Sequence, residues 1–276
     1  MTSTRERQRA AARAKLAREM AERQAAARRR RQRQAIIGAG VALLIVAGGV
    51  IWLVSSLGGD DTTTTAGSDP SAAPVTCTWN EVPADQRSPT TKDVGVPPTT
   101  EPPTSGTSVM TIDTSYGPIE VTMDLSKAPC SAESFSYLAS KQFWDGTKCH
   151  RMFPGMLQCG DPSAKGEGYR ETDGTGGPSY RYANENLPVD QRPAYPEGVV
   201  ALANSGPDTN GSQFFFIYQD TELSPDYTVL GKVTKGLENI KKATEAGHDG
   251  AFDPSPGGGH PKNNIEIKTI RVAPAA

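Results

Sequence analysis

The stretch TNGSQFFF, residues 209–216, sets three phenylalanines in a row behind a turn-forming Asn210-Gly211 pair. Side chains of a strand point alternately to its two faces, so Phe214, Phe215 and Phe216 cannot all enter one core. At least one ring must face something other than the protein's own interior, and Gln213 stands beside it. An aromatic ring and an uncharged amide at the mouth of a strand suit a binding surface.

Working outward, CHRMFPGMLQCGD (149–161), GVVALANS (198–205) and YTVLGKV (227–233) also read as short strands between loops. VMTIDTSYGPIEVTMDL (109–125) alternates, with Met110, Ile112, Ile119, Val121 and Met123 on one face and a turn at Tyr116-Gly117-Pro118, which predicts a β-hairpin. The period changes in APCSAESFSYLASKQ (128–142), a helix with Phe135 and Leu138 inward and Ser131 as N-cap. A second helix is predicted over 236–247, with Leu237, Ile240 and Ala243 on one face and Gly247 as its stop. IEIKTIRV (265–272) alternates again and should close a sheet. Short strands with two well-separated helices fit a mainly β fold, a closed antiparallel barrel capped by the helices.

The net charge of −2 hides a split. Residues 1–34 carry eleven Arg and Lys15 against Glu6, Glu19 and Glu22, a balance of +9, which leaves −11 for the rest (−2 minus 9). The 23 residues from Ala35 to Leu57 carry no charge. At about 1.5 Å per residue they match a hydrocarbon core of about 30 Å. The chain is therefore read as a basic cytoplasmic segment (1–34), a single transmembrane helix (35–57) and an exported remainder, oriented by the positive-inside rule. A cleaved signal peptide is the alternative, but its apolar stretch is usually shorter. The basic leader is assigned to anionic lipid rather than nucleic acid. Residues 58–106, rich in Thr and Pro, read as a disordered linker, and 107–276 as the folded domain.

Several chemistries find no support. There is no H-E-x-x-H or C-x-x-C pattern, no G-x-S-x-G elbow, and the glycine-rich DGTGGPSY (173–180) lacks the Lys and helix of a phosphate loop. What remains is a set of polar groups that neither attack nor titrate: Arg151, Gln158, Asn204 and Gln213. They are interleaved with Met156, Phe214, Phe215, Leu223 and Tyr227. Such a set suits an uncharged peptide backbone with an apolar side chain. Cys77, Cys130, Cys149 and Cys159 all lie in the exported part, where disulfides persist; three pairings remain open.

HRMFPGMLQCGDP (150–162), GTGGPSYRYANE (174–185), GVVALANSGPDTNGSQFFF (198–216) and YTVLGKV (227–233) resemble the cyclophilin family of peptidyl-prolyl cis–trans isomerases, from about Val109 to Val272. The leader, span and linker resemble membrane-anchored actinobacterial members. The resemblance implies an eight-stranded barrel with a helix at each end, isomerisation of X–Pro bonds in unfolded or exported chains, and no cofactor. By matching motifs it implies Arg151, Gln158 and Asn204 as catalytic residues, and Met156, Ala203, Gln213, Phe215, Leu223 and Tyr227 as substrate-binding ones. Phe215 should floor a proline pocket with Gln213 at its rim, while Phe214 and Phe216 point into the barrel. Two departures stand out. PGMLQCGD is one residue short of the family pattern, with Met156 as substitute for a pocket phenylalanine. ELSPDY lacks the family's tryptophan, leaving Leu223 on that wall and Tyr227 where many members have histidine, so cyclosporin binding should be weak. The alternative to an enzyme is a domain of the same shape that holds Pro-containing segments with little turnover.

Overall fold

The structure, a computed structural model, describes residues 75–276 apart from 222, 255 and 256. The apolar stretch 35–57 and the basic leader lie outside the described residues; among these no helix is long and apolar enough to cross a membrane.

In chain order the strands are β1 (Asn80–Glu81), β2 (Thr91–Lys92), β3 (Thr107–Thr114), β4 (Gly117–Asp124), β5 (Thr147–Lys148), β6 (Arg151–Phe153) and β7 (Met156–Cys159). There follow β8 (Gly177–Pro178), β9 (Tyr180–Arg181), β10 (Val199–Leu202), β11 (Phe214–Ile217), β12 (Val229–Lys235) and β13 (Glu266–Val272). Helix α1 spans Pro129–Ser140 and α2 spans Leu237–Thr244. Nine strands form one curled sheet in the order β5-β13-β3-β4-β12-β10-β11-β7-β6.

The closed eight-stranded barrel is thus corrected. No ladder joins the two edge strands, β5 and β6. They are consecutive pieces of one chain separated only by Cys149 and His150, and there the backbone bonds elsewhere: Lys148 N–H to the Ala164 carbonyl and Cys149 N–H to that of Ile265. The sheet curls on itself without a hydrogen-bonded seam.

The alternation behind this sheet is visible in β3 and β4, whose Met110, Ile112, Ile119, Val121 and Met123 are buried while their neighbours are not. They pack with Phe135 and Leu138 of α1 and with Phe214 and Phe216 of β11 into one core. Trp144 fills its centre, its ring 5.1 Å from Phe135, and its indole N–H is shared between the carbonyls of Gly160 and Ser212 at 3.2 Å each. Burying so large a ring needs such a partner for its one polar atom.

Helix α1 is not capped by Ser131. Its N-cap is Ala128, with Pro129 opening the first turn. The orphan N–H groups of Cys130 and Ser131 donate instead to the Glu185 carboxylate, at 3.4 and 2.6 Å, which also places a negative charge at the positive end of the helix.

The disordered linker is corrected for residues 75–106, which form a strap on the domain. β1 pairs antiparallel with β9, and β2 parallel with β8. Trp79 stands edge-on to Tyr180 and Tyr182, at 5.7 and 5.5 Å, and its indole donates to the Thr99 carbonyl. The Lys92 ammonium donates to the carbonyls of Gln142 and Phe143, and the Tyr137 hydroxyl to that of Val94. A disulfide between Cys77 and Cys130 fastens the strap to α1, and a second joins Cys149 to Cys159, so the sulfurs adopt one of the three open pairings. The first closes a loop of 53 residues. Replacing Cys77 and Cys130 together by serine is expected to cost about 4 kcal/mol, read as a drop in the denaturant midpoint, and to expose residues 75–100 to protease.

Candidate active site

Strands β6, β7 and β11 carry Arg151, Met156, Gln158 and Phe215 to one place, and the segments after β10 and before β12 add Ala203, Asn204, Leu223 and Tyr227. β11 pairs with β7 so that Phe215 stands opposite Gln158, and with β10 so that Phe215 stands opposite Ala201. β6 pairs with β7, bringing Arg151 opposite Gln158. The alternation in FFF does what its spacing requires. Phe214 and Phe216 belong to the main core, and Phe215 to a second cluster on the outer face with Met156, Tyr195, Ala201 and Ile217.

Over that cluster lies a hollow of about 620 Å³. Arg151, Met156, Gln158, Ala203, Asn204, Phe215, Leu223 and Tyr227, all expected from the sequence, line it. The Tyr227 ring stands edge-on to Phe215 at 5.4 Å, and Tyr195 lies 6.1 Å from Phe215, so the floor is aromatic and rigidly packed. Tyr195 holds this wall by a mutual bond: its hydroxyl donates to the Tyr227 carbonyl and accepts from the Tyr227 N–H.

Arg151 sits at the polar end of the hollow, half-buried. Its guanidinium lies 5.8 Å from the Phe153 ring and 5.9 Å from Phe252, and one Nη2 hydrogen bonds the Gly257 carbonyl at 3.3 Å. Its Nε is buried and has no hydrogen-bond partner among the described residues. The rest of the guanidinium, held by one hydrogen bond in the wall of the hollow, is the candidate for ligand contact.

Asn204 plays a different part from the one its amide suggests. Its side chain donates to the Asp226 carbonyl and accepts from the Gly206 N–H, holding the 203–209 loop in shape. The Asn204 backbone has no hydrogen-bond partner among the described residues, and the residue lines the hollow. Gln213 does not line the aromatic hollow. Its Nε2 donates to the carbonyls of Gly174 and Gly176, and its Oε1 accepts from Gln158 Nε2 at 2.9 Å. It thereby braces Gln158 and faces a second, more polar hollow of about 340 Å³ that shares Gln158, Ala203 and Asn204 with the first.

Sequence reasoning missed Phe153, Pro154, Gly257 and Gly258, which also line the aromatic hollow. Gly258 has φ +81, and a Cβ there would lie 2.2 Å from the Met152 carbonyl oxygen, so only glycine lets this loop reach β6. The run of three glycines at 257–259 was the available signal. Gly160 makes a similar close approach behind the site, with φ +94 and the Ser212 carbonyl 2.4 Å from where a Cβ would stand.

Behind Arg151, His150 is buried with neither ring nitrogen hydrogen-bonded. Burial pushes its pKa down to about 4, against the opposing pull of Asp161 and Asp173. The folded state keeps this imidazole neutral while the unfolded chain takes up a proton below its ordinary value of 6.5. His150 therefore costs nothing above pH 6.5, and stability falls as pH drops from there towards 4, by on the order of 3 kcal/mol. Urea midpoints at pH 7 and pH 4.5 should differ accordingly, and less so in His150→Gln. No group of three or more His, Cys, Asp or Glu is gathered to hold a metal among the described residues.

Sheet, helices and aromatic hollow together define a class, and comparison with known proteins supplies it. The model of the cyclophilin type peptidyl-prolyl cis-trans isomerase family matches residues 109–272, and the chain belongs to that family. It is 38% identical over 188 residues to "Probable peptidyl-prolyl cis-trans isomerase B" of Mycobacterium leprae, covering 63% of this chain and 58% of the relative. It is 37% identical over 195 residues to the protein of the same name from Mycobacterium tuberculosis strain H37Rv, covering 65% and 59%. The match thus spans under two thirds of these relatives' length. Among solved structures it is similar to a Cryptosporidium parvum cyclophilin type peptidyl-prolyl cis-trans isomerase, with a TM-score of 0.51 at 25% identity over 62% of this chain and 99% of that one. A crystal structure of the same protein in the presence of the dipeptide Ala-Pro matches with a TM-score of 0.50 at 26% identity, over 60% and 98%.

Proposed function

We propose that the chain is a membrane-tethered peptidyl-prolyl isomerase that accelerates X–Pro isomerisation in unfolded or exported polypeptides outside the cytoplasm. The observation that carries the activity is the Arg151 guanidinium, held by a single 3.3 Å hydrogen bond, in the wall of an aromatic hollow of about 620 Å³ that has room for a proline ring and its flanking residues. An X–Pro bond turns slowly because amide resonance resists it, with a barrier of about 18–20 kcal/mol. In the twisted transition state the prolyl nitrogen becomes pyramidal and its lone pair accepts a hydrogen bond. Arg151 donates that bond while Phe215, Met156 and Leu223 hold the ring and the Asn204 backbone fixes the preceding residues. A hydrogen bond that forms only in the transition state lowers the barrier rather than tightening binding. Removing about 5–6 kcal/mol gives roughly 10⁴-fold acceleration with no covalent step and no proton transfer.

A protease-coupled or NMR exchange assay of the full chain in detergent on an X–Pro peptide tests this. Acceleration supports an enzyme; binding without acceleration leaves a holder of Pro-containing segments. The extracytoplasmic setting is supported by the charge-free stretch 35–57, the basic residues before it and two disulfides. Protease added to intact cells is expected to remove the 107–276 domain and spare an epitope on residues 1–34. Appearance of the domain in the medium without protease would instead indicate a cleaved leader.

A further inference from the structure

The second, polar hollow has a feature that the isomerisation chemistry does not use. Arg181 of β9 is the one charged residue in its lining. The guanidinium is fixed from one side: Nη1 donates to the carbonyls of Pro178 and Tyr180, at 2.9 and 2.8 Å. The remaining Nε and Nη2 hydrogens have no hydrogen-bond partner, and Arg181 makes no ion pair, among the described residues. The carboxylate lying under the same loop, Asp161, is already engaged by the N–H groups of Gly174, Gly176 and Ser163. Gly177 and Gly211 stand beside the guanidinium, where a Cβ would lie 3.5 Å from Nη1, so neither position sets a side chain against it. Burial lowers the pKa of Arg181, with no acid raising it in compensation.

A half-buried cation without a counter-ion, pinned by one nitrogen, presents the planar Nε–Nη2 edge that fits a carboxylate in two parallel hydrogen bonds. The hollow around it is walled by glycine backbone, Thr175, Thr209 and Ser212, which suits a short polar side chain rather than an apolar one. It shares a wall with the aromatic hollow, so one extended peptide, advancing about 3.3 Å per residue, can fill both.

We propose that this second hollow receives an aspartate or glutamate side chain of the substrate polypeptide, within three residues of the proline, and that Arg181 is the residue that selects it. The proposal rests on the isomerase reading only in taking a proline-containing polypeptide as substrate. The test uses the full chain in detergent and peptides in which each position from three before to three after the proline carries Glu, Gln or Lys. Turnover is followed by NMR exchange, and binding by titration. At one position Glu is expected to exceed Gln by about five- to tenfold in both kcat/KM and affinity, with Lys below Gln, and added salt should shrink the ratio. Arg181→Gln should bring the Glu-to-Gln ratio to about one, and Arg181→Lys should retain part of it. If Arg181→Gln does not fold, the lysine variant and the salt dependence decide. No Glu preference at any position, or an equal preference in Arg181→Gln, overturns the proposal. Absence of turnover on every peptide would sink the isomerase reading alone, because the binding ratios still report on Arg181.

Discussion

Replacing Arg151 by alanine is expected to lower kcat/KM at least tenfold while the domain stays folded. The asymmetry follows from where its contacts lie. In the resting protein Arg151, on the edge strand β6, makes one 3.3 Å hydrogen bond, to Gly257, and loose approaches to the rings of Phe153 and Phe252. Losing these costs about 1–2 kcal/mol, a modest share of a domain's stability. In the transition state the same side chain would supply a charged donor inside a partly desolvated hollow, where removing one such donor costs about 2.7–4 kcal/mol in other enzymes. The loss should appear in kcat, with peptide affinity little changed, because Phe215 and Met156 remain. Far-ultraviolet dichroism with single-turnover kinetics checks both halves. A variant that unfolds, or keeps full activity, removes Arg151 from the role assigned to it.

Cyclosporin should inhibit this protein about 30- to 1,000-fold less well than a relative carrying the family tryptophan. That indole, where present, offers the macrocycle a broad apolar face and one N–H. Here the corresponding wall is Leu223, half-buried at the edge of the hollow and without a donor. Losing an interfacial indole with its hydrogen bond costs about 2–4 kcal/mol, at about 1.4 kcal/mol per tenfold in Kd. Turnover should suffer far less, since Arg151, Gln158 and Phe215 do not depend on that wall. Nanomolar inhibition would mean that Tyr227, whose ring stands against Phe215, rebuilds the lost surface. Leu223→Trp offers the reverse experiment, with tighter inhibition expected at similar activity.

The parts legible in the sequence are those governed by a period. Alternation in 109–125 and 265–272 and the switch to helical spacing at Phe135 and Leu138 set the hairpin, the last strand and α1. The FFF run divided correctly between core and hollow because a strand leaves it no other choice. What escaped has no period. The strap is held by a disulfide, by Trp79 lodged against two tyrosines and by side-chain bonds to carbonyls, all between residues far apart in sequence and written in a composition typical of linkers. The capping of helix α1 escaped for the same reason: its N-terminal partner, Glu185, lies 54 residues beyond Ser131. Gln213 was assigned to the right face but the wrong hollow, because alternation fixes the side of a sheet and says nothing about which neighbour an amide bonds. Gly257 and Gly258 reach the site from a distant loop.

The meeting of β5 and β6 has a bearing on solubility. A sheet usually ends in a row of bare N–H and C=O groups on which any extended chain can add a strand, and such edges seed aggregates. Here the edge strands are only two and three residues long. On their outer sides Met152 exchanges both backbone bonds with Gly259, and the Lys148 N–H donates to the Ala164 carbonyl. If unfolded chains are its substrates, as proposed, the nine-stranded sheet thus offers them a groove for a proline and almost no template on which to polymerise.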